Sequence, residues 1–204
     1  MAEEEIAIKA PLNKTFKDKF YFVFNLPDAL KDLSNEYNQI TNAVGINKSS
    51  IDFSLISASI PGHTIKGEDV QYGGGHLYIS THTKDAYEPV SITFKIDSQF
   101  ANYYVLYSWM NLIWNESEGY FNADKLAKGK SINDYQTKMS IVALDEYNKP
   151  TIQWLFTRAF PTSLSSVELN YQQTDEIDCS ATFLFSQMIT KNLAIEKVKN
   201  AKHH

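Results

Sequence analysis

The sequence predicts a mainly β protein in which two antiparallel sheets pack as a sandwich or partial barrel, with one buried aromatic helix. Apolar and polar residues alternate through most of the chain, as in residues 90–96, which is typical of half-buried strands. Residues 100–114 instead repeat aromatic side chains at helical spacing. Glycines and prolines separate the alternating stretches, as expected for turns between short strands.

Composition indicates one folded domain that is poorly suited to reading nucleic acid. The chain has 204 residues, of which 43% are hydrophobic and 13% aromatic, enough for a sizeable core. The net charge of −5 and the single arginine, Arg158, argue against recognition of phosphates or bases. No apolar stretch approaches the roughly 20 residues of a membrane-spanning helix, and the acidic start is unlike a signal peptide.

The first part of the chain is predicted to form an arm, a strand, a helix and a second strand. Residues 1–18 are charged and lack a regular period, which favours an arm. Phe20–Phe24 form the first strand, and Pro27 ends it. Residues 28–44 carry a narrow helical stripe typical of a surface helix. Residues 51–60 alternate as a strand with small polar residues on one face.

A glycine triplet at residues 73–75 separates two short apolar stretches, residues 70–72 and 77–79. This pattern predicts either a hairpin with a flexible tip or one strand broken by a glycine bulge. Residues 82–88 are predicted to follow as a polar loop.

The strand at residues 90–96 leads directly into the aromatic helix, and Asp97 and Ser98 are candidate caps for its start. The helix is apolar on almost all sides, so we expect it to be covered on more than one side. The residues that we expect to form its core-facing stripe are Phe100, Tyr103, Tyr107, Met110 and Trp114.

The other strands are predicted in the carboxy-terminal half. Residues 138–144 and 152–160 form one pair, and Pro161 is expected to end the second of these strands. Residues 167–171 and 177–185 are the last two predicted strands.

These elements fit one domain with two tails. We place the arm at residues 1–18, the β domain at residues 19–188 and a lysine-rich tail at residues 189–204. Within the domain, residues 28–50 form an insertion. Residues 116–136 form a loop that is longer than most connections.

Residues that could support chemistry do not form a recognisable motif. The internal histidines have no second ligand at metal-binding spacing, and the glycine triplet matches neither a P-loop nor a dinucleotide fingerprint. No serine lies in a nucleophile elbow, so a hydrolase lacks its triad. Cys179, the single cysteine, lies in a strand pattern and is expected to be a buried thiol. We therefore expect a protein that is not an enzyme and uses no metal or cofactor.

Open sheet edges suggest how such a protein is used. Edge strands risk pairing with neighbours, and a ring of identical subunits removes the risk by closing the sheets into one large barrel. Small polar side chains would suit the face that meets water inside its lumen. The expected lumen residues lie on the strands at 51–60 and 138–157, and they are Asp52, Ser54, Ser140 and Gln153.

Two stretches of the chain resemble the tail tube proteins of contractile-tailed bacteriophages. The first is residues 87–109, where a strand, an acidic cap and an aromatic helix follow one another. The second joins the strand at residues 141–145 to the Ala-Phe-Pro-Thr-Ser turn at residues 159–163 and the acidic entry to the strand at 175–185. The resemblance covers residues 20–185.

This resemblance implies a ring-forming tail-tube fold and a structural role. Six subunits would form a ring whose inner strands make one barrel, and stacked rings would form the tube, as in the related ring protein of type VI secretion. The implied partners are further copies, the tail sheath protein, baseplate proteins and the tape-measure protein, while DNA crosses the lumen without specific binding. The protein would be assembled in the host cytoplasm and reside in the virion. The net charge of −5 would then help DNA to slide.

The hairpin and the amino-terminal arm are expected to stack the rings. The predicted interface residues belong to the hairpin: Val70, Gln71, Tyr72, Gly73, Gly74, Gly75, Leu77 and Ile79. Two alternatives remain open. One is a baseplate tube-initiating or tail-completion ring of the same fold. The other is a monomeric β-barrel that binds a small molecule under the helix.

Overall fold

The computed structural model describes residues 15–27, 30, 55–98, 100–115, 120–121, 135–172 and 175–193. These residues form an antiparallel β structure with one long helix. In chain order the elements are β1 (Phe20–Phe24), β2 (Leu55–Ala58), β3 (Ile65–Tyr72), β4 (Gly75–Lys84), β5 (Val90–Lys95), α1 (Ala101–Ile113), β6 (Trp114–Asn115), β7 (Tyr120–Phe121), β8 (Thr137–Leu144), β9 (Pro150–Leu164), β10 (Asp178–Leu184) and β11 (Gln187–Asn192).

The long strand β9 takes part in two sheets. Its first part pairs with β8 and β11, and β8 pairs with β1, which gives the first sheet. Its last part pairs with β10, and β5 and β2 follow, which gives the second sheet. Arg158 has a φ of 54° close to the point where β9 passes between them. Within the described residues the strand order ends at β1 and β2, so the sheets do not close on themselves.

The two sheets and the helix enclose one hydrophobic core. The ring of Phe183, in the second sheet, lies 6.4 Å from the ring of Phe22 in the first and 6.1 Å from the ring of Trp109 in α1. Phe94 and Phe156 are also fully buried. Cys179 is a free thiol and is 1% exposed, which confirms its prediction. Large side chains therefore fill the space between the sheets.

The start of α1 confirms the predicted cap. The Asp97 carboxylate accepts hydrogen bonds from the backbone N–H groups of Ala101, at 2.8 Å, and Asn102, at 3.2 Å. These N–H groups have no partner within the helix, so the carboxylate satisfies their hydrogen bonds. Its negative charge also interacts favourably with the positive end of the helix dipole. Asn102 is 4% exposed and donates to the Lys95 carbonyl at 2.8 Å, which ties α1 to the end of β5.

The side of α1 that packs on the sheets is opposite to the predicted one. The buried stripe is Val105, Leu106, Trp109 and Leu112. In the predicted stripe, Phe100, Tyr107 and Trp114 are 38%, 42% and 51% exposed, while Tyr103 and Met110 are half-buried. The prediction was wrong because both sides of this helix are apolar, so the sequence contains no polar face to orient it.

Two predicted features of the carboxy-terminal strands are also wrong. Strand β9 continues through Pro161, which lies opposite Phe183 and next to a bulge at Thr162 in β9 itself. Proline is tolerated there because a bulge or an edge position does not need its missing N–H. Residues 167–171, predicted as a strand, have no regular secondary structure. Strand β11 crosses the predicted boundary at 188/189 and carries the folded unit to Asn192.

Several predicted elements lie outside the described residues. These are the arm through residue 14, most of the helix at 28–44 and most of the loop at 116–136. Within that loop, Tyr120–Phe121 pair with Trp114–Asn115. In the part of the chain that the structure describes, no helix has the length and apolarity to span a membrane.

Candidate assembly surfaces

The glycine triplet forms the tip of a long hairpin. Gly73 and Gly74 have φ of 58° and 82°, and the flanking Tyr72 and Gly75 pair as the first rung of the ladder. Two successive positive φ values are those of a type I′ turn, whose twist matches that of the strands it joins. The hairpin alternative is therefore correct, and the bulge alternative is wrong. Strand β4 also extends to Lys84, into the predicted polar loop.

The two faces of this hairpin differ in polarity. Paired residues point to the same side of a two-stranded sheet, and successive residues alternate. The ladder therefore collects the apolar side chains on one face: Val70, Tyr72, Leu77 and Ile79. The other face carries Asp69, Gln71, His76 and Tyr78, and the His76 Nδ1 lies 2.7 Å from the Asp69 Oδ2. We call the first set the apolar hairpin face.

Neither hairpin face is covered by the other residues that the structure describes. Every residue of β3 is exposed, as is every residue of β4 except the half-buried Thr81. On the apolar hairpin face the exposed fraction ranges from 38% for Val70 to 79% for Tyr72. An isolated two-stranded hairpin is marginally stable in water, so these side chains suit contact with a partner.

The predicted interface residues fall into three groups. Val70, Tyr72, Leu77 and Ile79 share the apolar hairpin face. Gln71 lies on the opposite face, and the three glycines shape the tip.

The root of the hairpin is fixed to the core by aromatic contacts. The Lys84 ammonium lies 3.4 Å above the Tyr87 ring centroid. The Tyr87 ring is 5.0 Å from that of Phe185, which in turn lies 4.9 Å from Phe156. The hairpin direction is therefore set at its base, while its length extends into solvent.

The outward face of the second sheet is lined by hydroxyl groups. Thr93 and Ser180 lie opposite each other with their oxygens 3.1 Å apart, and Ser91 and Thr182 are 3.4 Å apart. The pairing register adds further small polar residues to this surface. We call the whole set the hydroxyl face, and its members are Ser57, Ser91, Thr93, Ser163, Ser180 and Thr182.

Sequence reasoning did not find the hydroxyl face as a surface, although the period-two pattern of β5 and β10 already contains it. The missing information is strand order, because only the antiparallel pairing of β2, β5, β10 and β9 joins these short stretches into one surface.

Two of the predicted lumen residues, Ser140 in β8 and Gln153 in β9, are described, and the pairing register places both on the same face of the first sheet. Ser140 is 6% exposed, which is too buried to line a channel. The prediction for Ser140 is wrong because residues 139–143 are buried on both faces of β8, so alternation did not identify a solvent side. Asp52 and Ser54 lie outside the described residues.

A charged cluster borders the hydroxyl face. The Lys95 ammonium lies 2.8 Å from the Asp178 carboxylate and 3.3 Å from that of Glu176. The pKa of Lys95 is raised above its ordinary value of 10.5, chiefly by the hydrogen bond to Asp178; desolvation, the second-largest effect, lowers it, and Glu176 adds a smaller upward contribution. The cluster is solvent-exposed, so salt and water screen it.

The described residues offer little support for a ligand or metal site. A surface depression of about 410 Å³ lies beside the start of β10. Its lining residues are Ser166, Glu168, Leu169, Asn170, Asp175, Glu176, Ile177 and Asp178. In the described ranges, no three His, Cys, Asp or Glu side chains are grouped to hold a metal ion. A barrel-type binder would need a cavity within its core. Here the core is filled, and the depression lies outside it.

Comparison with known structures places this architecture among contractile injection systems. The sheath/tube terminator of an extracellular contractile injection system is 13% identical, with a TM-score of 0.56, over 89% of this chain and 99% of that one. A chain of the sheath-tube complex of such a system is 14% identical, with a TM-score of 0.52, over 95% and 99%. The tube-terminating cap of the anti-feeding prophage is 15% identical, with a TM-score of 0.52, over 94% and 99%. At these identities the likeness establishes the fold.

The sequence itself carries the family assignment. No curated protein matches the chain. The family model described as "Phage tail tube protein" matches residues 15–191, which include every described strand except the last residue of β11. The chain belongs to the phage tail tube protein family.

Proposed function

We propose that this protein is the repeating subunit of a contractile tail tube, with six copies in a ring and rings stacked through the hairpin. The observation that carries the proposal is the apolar hairpin face, which projects from a well-packed body and is 38–79% exposed. A chain that stays monomeric gains nothing from such a surface, whereas a stacked ring covers it.

The open sheet edge supports ring formation. Strand β2 ends the second sheet and pairs with β5 on one side within the described residues. A neighbouring subunit could add a strand there, and closing the ring would remove the edge from every copy.

The hydroxyl face is the surface that we propose lines the lumen, in place of the predicted set that included Ser140. Its side chains are uncharged and half-buried or exposed, so they can meet water. The nearby Lys95 is paired with two carboxylates, which leaves no free cation in the described part of this surface to hold a phosphate. DNA would therefore pass without adhering, because positive charge is lacking.

The proposed partners are further copies, the sheath protein, baseplate proteins and the tape-measure protein, with DNA crossing the tube at ejection. The proposed location is the virion tail, after assembly in the host cytoplasm. Similar structures come from a sheath-tube complex and from a baseplate, which supports the sheath and baseplate as partners. The similarity to a tube terminator and to a tube-terminating cap favours, as a second candidate, a ring at one end of the tube.

Electron microscopy of the purified protein, together with its mass in solution, tests the proposal. The main tube subunit is expected to form hollow tubes with a central channel. Single rings that do not extend would favour the terminal-ring candidate. A monomer at all concentrations, also after addition of baseplate complexes as a template, would contradict both.

A further inference from the structure

A second uncovered apolar surface lies on the outward side of α1. Its members are Phe100, Tyr104, Tyr107 and Trp114, which are 38–51% exposed, and we call them the outer helix stripe. The rings of Tyr104 and Tyr107 lie 6.5 Å apart, so these two aromatic groups are adjacent at the centre of the stripe. The helix has no charged residue between Ala101 and Ile113. Adjacent exposed aromatic side chains mark an interaction site more often than scattered ones do.

We infer that the outer helix stripe of one subunit receives the apolar hairpin face of a second copy. This inference rests on the proposed function, because it names the surface that the hairpin contacts during assembly. Both surfaces are uncharged over most of their area, and both combine aromatic with aliphatic groups. The one acidic residue on the same side of the hairpin is Glu68, which pairs with Ile79 towards the root.

The occupant is a second copy because the described residues of one copy leave both surfaces exposed. The extensive contacts of β3 are with β4, and those of α1 within the body are with β9. A partner of different chemistry is less suited to the stripe, since a charged surface would lose its hydration against aromatic rings without gaining an ion pair.

The size of the contact agrees with use in an array. Four partly exposed side chains on each surface offer roughly 400 Å² a side, given the 150–250 Å² that an aromatic residue can bury. The total of about 800 Å² falls below the 1,200–2,000 Å² of stable pairwise interfaces. We therefore expect this contact to hold when many copies are joined, and a free pair of subunits to separate.

Disulfide trapping between two variants, each with one added cysteine, tests the inference. Leu77→Cys places a thiol on the apolar hairpin face, and Tyr107→Cys places one on the outer helix stripe. The native Cys179 is 1% exposed and stays unreactive. The two variants are mixed, allowed to assemble and then oxidised. We expect covalent dimers from the mixture that neither variant gives alone. Leu77→Cys mixed with Tyr171→Cys is the matched control, because Tyr171 is fully exposed and lies outside the stripe.

The outcomes separate this inference from the proposed function. Rings or tubes without the mixed dimer would overturn the inference and leave the tube subunit standing. Absence of both assembly and dimer would overturn the two together. A second readout is Trp114 fluorescence, which is expected to shift to shorter wavelength on assembly and to lose this shift in Trp114→Phe. An unchanged emission spectrum in assembled protein would also contradict the inference.

Discussion

The body of the protein and its hairpin contain similar apolar residues, but these residues are buried in the body and exposed on the hairpin. Phe183, at the centre of the body, is fully buried between two sheets and a helix, whereas Tyr72, on the hairpin, is 79% exposed. Both lie on alternating strands in antiparallel ladders. The body buries the inner faces of its two sheets and of its helix against one another, whereas no other described residue covers the apolar hairpin face.

This difference indicates a division of labour between folding and assembly. Burial of apolar area stabilises the body in a single copy. The hairpin, with little buried area of its own, is expected to contribute almost nothing to the stability of that copy and most of its energy to contact with others. Four experiments with point substitutions test this division of labour.

Removing a core ring is expected to have the largest effect. Phe183→Ala deletes contacts with Phe22 and Trp109 and should lower the free energy of unfolding by about 3–5 kcal/mol. Tyr72→Ala, the matched aromatic truncation on the hairpin, should change it by less than about 0.5 kcal/mol. Urea denaturation of the dispersed protein measures both. Equal losses would show that the hairpin is part of the folded core.

A charge on the apolar hairpin face should abolish assembly while the monomer stays folded. Ile79→Asp or Val70→Asp would place an unpaired carboxylate in the proposed contact, at a desolvation cost that this small interface cannot offset. Electron microscopy and solution mass read out the loss. Gln71→Asp adds the same charge on the opposite face and should assemble normally. Normal assembly of Ile79→Asp and Val70→Asp would remove this face from the interface.

Replacing a tip glycine should weaken the hairpin locally. Gly74 has a φ of 82°, and a side chain in left-handed backbone costs about 1–2 kcal/mol. Gly74→Ala is therefore expected to reduce assembly and leave the melting temperature of the dispersed protein unchanged. Gly62→Ala is a control, since Gly62 lies outside the turn and a Cβ there meets no atom within 4 Å. A lower melting temperature in Gly74→Ala alone would contradict the separation of hairpin and body.

The smallest expected effect is a pH dependence in the body. The pKa of Lys95 is raised by Asp178 and then Glu176. A group with a raised pKa stabilises the fold fully below its unfolded pKa and loses that contribution as pH rises through its folded pKa. The difference in melting temperature between wild type and Lys95→Met should stay constant up to about pH 10 and shrink above it. A constant difference at higher pH would contradict the pairing.

Much of the fold could be predicted because each strand has an alternating pattern that is visible in its own sequence. Phe20–Phe24 was predicted with the observed bounds, and Val90–Lys95 was predicted within one residue. Period-two alternation is a property of a single strand, so it can be recognised without knowing which strands lie beside it in the sheet. The prediction that Pro161 ends its strand was wrong because the bulge beside it in β9 is defined by the pairing register with β10, which the sequence of β9 alone does not give.

The surfaces were less predictable, for a related reason. Choosing the buried side of α1 needs the shape of the sheets, and both of its sides are apolar. The expectation that this helix is covered on more than one side stays a prediction, since one copy covers the Trp109 side and leaves Tyr107 exposed. The hydroxyl face likewise exists only through strand order, which alternation cannot supply.

Hydrogen exchange, compared between dispersed and assembled protein, tests the division between body and hairpin most directly. Amides of β5, β9 and β10 are expected to be protected in both states. Amides of β3 and β4 should exchange rapidly in the dispersed protein and become protected in the assembly. Equal protection of the hairpin in the two states would contradict the claim that assembly, and not the subunit's own fold, holds it in place.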